Sequence, residues 1–296
     1  MKKISQADIK ELAPKDFPSL LKEITDPPEK LYARGTLPAE DYKWLAVVGS
    51  RKFTNYGKEA VETLIAGLIG YPVVIVSGLA IGIDSIAHKA ALDARLKTVA
   101  VLGSGLDSKV LYPSMNRTLA DDIVQAGGAL LSEFEPEFRA TAWSFPQRNR
   151  IIAGLAHATL VAEAEQKSGA LITSKFATEY NRDVCTVPGS IFSASSAGPH
   201  MLIKMGATPI TSSDDLLQVL GFELNVSDKG GSASSKRRYE DCTEEEKKVI
   251  ELLQSPLSRD DLIDALGPPI SRANALLSLM ELRGFTKELG GEIRLI

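Results

Sequence analysis

Cysteine is scarce in this chain of 296 residues, which carries only Cys185 and Cys242. Two thiols so far apart in sequence point to neither a disulfide framework nor a zinc site. Cys185 falls inside an apolar run and reads as a small buried thiol. Long apolar runs are missing too. No stretch approaches the ~20 consecutive apolar residues that span a bilayer, because Gly and Asp break the longest ones. The opening Met1-Lys2-Lys3-Ile4-Ser5-Gln6-Ala7-Asp8 has no signal-peptide apolar core. A cytoplasmic protein with no membrane partner is expected.

Histidine is limited to His88, His157 and His200, and no Ser or Cys nucleophile stands at a recognisable spacing from a base. His88 lies in the helical pattern Asp84 to Leu92, where its apolar neighbours favour a packing role over catalysis. His157 directly follows a helical pattern and reads as a C-terminal cap. No Gly-x-Gly-x-x-Gly opens the first helix, so the dinucleotide fingerprint fails, and the absence of Gly-x-x-x-x-Gly-Lys-Ser/Thr argues against a P-loop. No cofactor and no metal are expected, and binding is favoured over catalysis.

What is present is a folded composition, 44% hydrophobic and 24% charged. From Leu45 onward one unit recurs: a short β-branched run, a Gly/Ser turn, then a helical pattern. Leu45-Ala46-Val47-Val48 meets Gly49-Ser50-Arg51; Val73-Val74-Ile75-Val76 meets Ser77-Gly78-Leu79-Ala80; Thr98 to Leu102 meets Gly103-Ser104-Gly105. Thr159 to Ala162 leads to Lys167-Ser168-Gly169, and Val184 to Val187 leads to Pro188-Gly189-Ser190. Continuous apolar strands alternating with helices predict a parallel sheet covered on both faces. Ligands of such sheets bind beyond the carboxyl ends of the strands, where all these turns fall. Glycine permits close approach, and free N–H groups at the next helix start attract an anion. Each turn taken singly is also an ordinary tight βα connection; it is their convergence with Arg51, Arg148 and Lys167 that points to an anionic ligand.

The stretch Phe145-Pro146-Gln147-Arg148-Asn149-Arg150 heads an apolar run. Pro146 marks the neighbourhood of a helix start, where cations oppose the helix dipole unless an anion is bound. The competing reading pairs both arginines with carboxylates such as Glu133, Glu135 or Glu163. An aromatic ring beside a basic groove suits an unpaired base, since stacking is worth ~1–3 kcal/mol with any base. Phe145 takes that role here, although a ring packed under the preceding loop is the commoner use of a lone phenylalanine.

The rest of the chain divides by composition. Residues 1–43, rich in Pro, Lys and Asp, read as a cap on the main domain, with a short helix over Phe17 to Ile24 ended by Asp26-Pro27-Pro28. Residues 44–223 form the main domain and 224–241 a Gly/Ser-rich flexible linker. Within 242–296, helices are predicted over Glu244 to Gln254, Ser258 to Leu266 and Ser271 to Arg283, then a hairpin around Gly290-Gly291. Three helices and a hairpin make a winged-helix pattern. Net charge is −4, unevenly spread: residues 1–239 hold 27 Lys and Arg against 26 Asp and Glu, and 240–296 hold 7 against 12. The near-neutral body leaves room for a basic cleft, whereas the acidic tail opposes contact with a phosphate backbone.

These residues together resemble the DNA-processing protein A family (DprA, also called Smf). The matching stretches are Asp26 to Gly35, Val48-Gly49-Ser50-Arg51, Ser77 to Asp84, Gly103 to Asp107 with Tyr112-Pro113, Phe145 to Leu155 and Lys167-Ser168-Gly169-Ala170. The resemblance implies an extended Rossmann-like α/β domain, with helices on both faces of a parallel sheet, plus a small C-terminal winged-helix domain. It implies sequence-independent binding of single-stranded DNA, a homodimer, and delivery of the strand to a RecA-type recombinase in natural transformation. Carried onto this sequence, the DNA site comprises Gly49, Ser50, Arg51, Ser77, Gly78, Ser104, Phe145, Arg148, Asn149, Lys167, Ser168 and Gly169. Two departures stand out. Gly198-Pro199-His200 replaces the family's Gly-Thr-Asn, and no full N-terminal helical domain precedes Phe17. Two other readings remain open. One is a nucleotide or nucleoside-phosphate hydrolase using the same pocket, with Glu163 or Asp84 as acid or base. The other is an interaction protein whose acidic C-terminal module recruits a partner. Leu216, Leu217 and Leu220 are the expected dimer surface.

Overall fold

The computed structural model describes residues 9–223, 242–253, 255–289 and 291–295. The expected linker over 224–241 lies outside the described residues. The chain divides into two compact units, Met1–Leu224 and Asn225–Ile296.

The first unit is built on one nine-stranded sheet. Its strands are β1 Ile9–Leu12, β2 Leu31–Gly35, β3 Lys43–Val48, β4 Val73–Ser77, β5 Lys97–Val101, β6 Ala129–Ser132, β7 Ala158–Val161, β8 Asp183–Thr186 and β9 Thr208–Pro209. Their order is β1-β2-β6-β5-β4-β3-β7-β8-β9, parallel from β6 to β9. The order reverses between β3 and its two neighbours β4 and β7, which makes the carboxyl end of β3 the switch point where open α/β sheets bind ligands.

Alternation along each strand sorts side chains into two layers. Leu45 and Val47 of β3, with Val73 and Ile75 of β4, join one core with Val61, Leu64 and Ile65 of helix α2 (Asn55–Ala66) and Ile83 and Ala87 of α3 (Ile83–Asp93). Trp44, Ala46 and Val48, with Val74 and Val76, join the opposite core with Ile151, Ile152 and Leu155 of α5 (Ser144–Leu155). Burial on both faces explains why these strands read as continuous apolar runs. A third cluster lies under α4 (Arg117–Gln125), where Leu119, Ala120 and Ile123 meet Leu102 and Leu130.

The N-terminal segment does more than cap this unit. β2 pairs antiparallel with β6, opposing Tyr32 to Ser132, and β1 pairs with β2, so residues expected only to cover the sheet extend it. Phe17, Leu21 and Ile24, around the single turn of helix α1 (Ser19–Lys22), complete the core beneath α5. The remaining helices are α6 Gly169–Glu179, α7 Ala197–Lys204 and α8 Ser213–Val219. The expected dimer leucines at α8 and its C-terminal cap are interior: Leu216, Leu217 and Leu220 are 0%, 1% and 2% exposed and pack against α2 and its sheet face.

The second unit holds helices Glu244–Leu252, Arg259–Leu266 and Ile270–Leu282 and a three-stranded sheet of β10 Leu257–Ser258, β12 Glu292–Leu295 and β11 Thr286–Leu289, in that spatial order. This is the winged-helix pattern. Ser258 caps the second helix by accepting from Asp261 N, as its position before the apolar run predicts. Leu262, Leu277, Met280 and Ile293 form its core. Among the described residues of the chain, no helix is long and apolar enough to cross a membrane.

Candidate functional site

A groove of about 640 Å³ opens at the carboxyl end of β3, between the turn that follows it and the facing starts of α5 and α6. Gly49, Ser50, Arg51, Phe145, Arg148, Asn149, Lys167, Ser168 and Gly169 all line it. Residues from the turn after β3 and from the starts of α5 and α6 thus meet on one surface. The Ser50 hydroxyl donates to Lys52 O at 2.7 Å and accepts from Lys52 N at 3.0 Å, fixing the bend that carries the exposed Arg51 outward. Ser168 caps α6 by accepting from Ala170 N, and Ser168, Gly169 and Ala170 at that helix start all face the groove. A helix start offers unpaired N–H groups and a partial positive charge, and the exposed Lys167 adds a full one.

A second hollow of about 250 Å³ shares Arg51, Ala80, Phe145 and Arg148 with the groove and adds Gly78, Ile81, Tyr112, Pro113 and Met115. Phe145 stands at the boundary, its ring centroid 5.5 Å from the Arg51 guanidinium and 5.5 Å from the Tyr112 ring. Tyr112 and Met115 are 49% and 73% exposed, so this hollow is rimmed by accessible apolar surface. The sequence gives Tyr112 no role of its own; only the Tyr-Pro step after a glycine-rich turn marks the place.

Arg148 is the keystone of the floor. Its Nη1 donates to Gly78 O at 2.7 Å and to Val101 O, the carbonyl ends of β4 and β5, and its Nε donates to Asn149 Oδ1 at 3.2 Å. Asn149 Nδ2 in turn donates to Gly169 O at 3.3 Å, tying the start of α6 to α5. Burial lowers the Arg148 pKa to about 10, with Asp84 opposing the shift and Arg51 adding to it, so it stays charged at neutral pH. Gly78 makes this possible: a Cβ there would sit 2.6 Å from Arg148 Cζ. Asp84 braces the same turn by accepting from Gly78 N at 3.1 Å. Burial raises its pKa above the ordinary carboxylate range, opposed by Arg148 and by the N–H groups of Ala80 and Gly78.

Several expected roles change. Ser77 and Ser104 are 0% exposed. The Ser77 hydroxyl donates to Val47 O at 2.6 Å, and Ser104 Oγ donates to Gly105 O at 3.0 Å while accepting from Tyr112 N at 3.2 Å. Both therefore shape the turns from beneath rather than lining either cavity. Arg148 and Arg150 stand at the fifth and seventh positions of α5, beyond the first turn in which the dipole acts. Arg150 follows the carboxylate-paired reading, held by Glu133 at 2.6 Å and by Asp26. His157 caps no helix: its Nδ1 accepts from Trp44 N at 3.0 Å, steadying the β3 edge ahead of β7. His88 is buried against Thr98, as its apolar neighbours predict. His200 Nε2 donates to Gly189 O at 3.0 Å, holding the loop before α7.

Of the two carboxylates considered as acid or base, Asp84 lines the groove and braces the Gly78 turn, and Glu163 joins the Thr54 and Ser195 turns. Glu163, 3% exposed, accepts from Thr54 N at 2.9 Å, Thr54 Oγ1 at 2.6 Å and Ser195 Oγ at 2.9 Å. Among the described residues no group of three or more His, Cys, Asp or Glu could hold a metal ion.

Fold and site together define an extended Rossmann-like protein with a groove lined by Arg51, Lys167 and the start of α6 at the switch point of its sheet. Residues 9–221 match the family model of DNA recombination-mediator protein A, and the chain belongs to that family. It is 36% identical to protein Smf of Escherichia coli strain K12 over 282 residues, covering 94% of this chain and 75% of that one. An X-ray structure of DNA processing protein A from Streptococcus pneumoniae superposes with a TM-score of 0.68 at 42% identity, covering 75% of this chain and 80% of that chain. A structure of DNA processing protein A from Helicobacter pylori, described for its single-stranded DNA binding mode, gives a TM-score of 0.63 at 30% identity, covering 72% and 95%.

Proposed function

We propose that this chain binds single-stranded DNA without sequence preference in the switch-point groove, acts as a homodimer, and passes the strand to a RecA-type recombinase in natural transformation. The carrying observation is the meeting of Arg51, Lys167 and the start of α6 on one surface, with Phe145 at its edge. Arg51 and Lys167 supply charge to the sugar-phosphate chain, and the helix start supplies N–H donors. The Phe145 and Tyr112 rings offer faces on which any base can stack. None of these groups reads a base edge, which is why the binding is indifferent to sequence. The Helicobacter pylori relative, described as a single-stranded DNA binder, supports the reading. No chemical step is assigned to the groove, because Glu163 is fully engaged as an acceptor and Asp84 holds the Gly78 turn. For the homodimer, the exposed apolar residues Ile191, Phe192 and Met205, at 80%, 94% and 75%, provide the surface beside α7.

Titration of labelled oligonucleotides with the Arg51→Ala variant tests the groove. Affinity for single strands of every sequence should fall together, and the slope of log K against log salt should flatten by roughly 0.7 for one lost phosphate contact. An unchanged affinity and slope would remove the reading.

A further inference from the structure

The winged-helix unit has an outward face that the single-strand site does not use. Helices that read duplex DNA turn Arg, Lys, Asn or Gln toward phosphates and base edges. On the third helix of this unit, Ile270–Leu282, those residue types are engaged within the unit. Arg272 pairs with Glu245, and Arg283, just past the helix end, pairs with Glu246 and lies over the Phe285 ring at 4.6 Å. Asn274 Oδ1 accepts from Arg259 Nε at 3.2 Å while its Nδ2 donates to Ile270 O at 3.3 Å. Exposed ion pairs are individually weak. Each nevertheless sets a carboxylate beside the cation, cancelling the field that a phosphate backbone requires.

The exposed stripe of this helix consists of Ser271, Ala275, Ser278, Leu279 and Leu282, opposite the buried Ala273, Leu277 and Met280. Leu279 and Leu282 are 49% and 86% exposed. Glu281 is exposed on the same helix, and Asp260, Asp261 and Asp264 are exposed on the preceding one. Residues 240–296, which hold its helices and hairpin, carry 12 acidic residues against 7 basic ones.

We propose that this face docks a cationic amphipathic helix of a protein partner and does not read duplex DNA. The leucines take the partner's apolar stripe, the small residues let its backbone come close, and the surrounding carboxylates select its Lys and Arg.

The test uses the full chain and three labelled probes: a Leu/Lys amphipathic peptide about 18 residues long, roughly five helical turns, the same peptide with Glu replacing Lys, and a short DNA duplex. The Leu/Lys peptide should bind. Binding should weaken at least about tenfold for the Glu peptide, and likewise for the Leu279→Ser, Leu282→Ser double variant. Both leucines are solvent-facing, so the thermal unfolding of the double variant should match the parent. Duplex binding should be the same in both proteins. The proposal fails if the Leu/Lys peptide does not bind, if either comparison leaves peptide affinity unchanged, or if the double variant loses duplex binding.

Discussion

Arg148 shows how a single residue joins stability to the proposed function. Its guanidinium closes the carbonyl ends of β4 and β5 and forms part of the groove floor, an arrangement that depends on the missing side chain at 78. Gly78→Ala should therefore lower stability by roughly 1–3 kcal/mol through overpacking and weaken single-strand binding as Arg148 is displaced. Urea unfolding together with oligonucleotide titration reads both effects, and a variant normal in both would contradict the keystone role. His88 offers a test through pH. Thr98 Oγ1 donates to Ile75 O and must accept from His88 Nδ1–H, which leaves Nε2 as a buried atom with no partner. Burial lowers the His88 pKa from 6.5 to about 3, so acid protonates the unfolded chain first. The stability held by the neutral ring is intact above pH 6.5 and drains toward pH 3 at up to about 1.4 kcal/mol per pH unit. Between pH 7 and pH 5 the parent should lose about 2 kcal/mol more than His88→Leu. Equal losses in chemical denaturation would show that the ring is not the sensor.

Among the elements, α6 carries the most of the proposed function at its first turn. The Ser168 cap satisfies a helix-start N–H and fixes the loop that holds Lys167. Ser168→Ala should cost about 1 kcal/mol of stability and reduce oligonucleotide affinity, with the loss in affinity largest at low salt. An affinity identical to the parent at every salt concentration would separate this helix start from the ligand. Elements with a repeating pattern were legible from residues: β3, β4, β5, β7 and β8 begin and end within two residues of the apolar runs that predict them. β1 and β2 were not, because the polar Lys10 and Glu11 and the mixed Leu31-Tyr32-Ala33-Arg34 carry no strand alternation and gain their structure by pairing with the edge at β6.

At the scale of the whole molecule, the acidic total conceals an uneven spread, with a near-neutral stretch over residues 1–239 that includes the groove and an acidic stretch over residues 240–296. For the proposed homodimer, the exposed apolar Ile191, Phe192 and Met205 of the first unit are the candidate surface. Replacing Phe192 and Met205 together with Glu should halve the mass seen by light scattering, and a parent protein that is already monomeric would refute the pairing. The sequence by itself determined the α/β class, the winged-helix pattern and the turns that meet at the groove, because strand burial and glycine turns leave local, periodic marks. Only the tertiary structure decided which polar groups face the groove. It sent Ser77 and Ser104 beneath the turns, gave Arg150 to Glu133 and buried the α8 leucines. The reason is physical: a strand or helix pattern is set by near neighbours, whereas the partner of a hydroxyl, a guanidinium or an apolar face is set by residues that folding brings in from elsewhere in the chain.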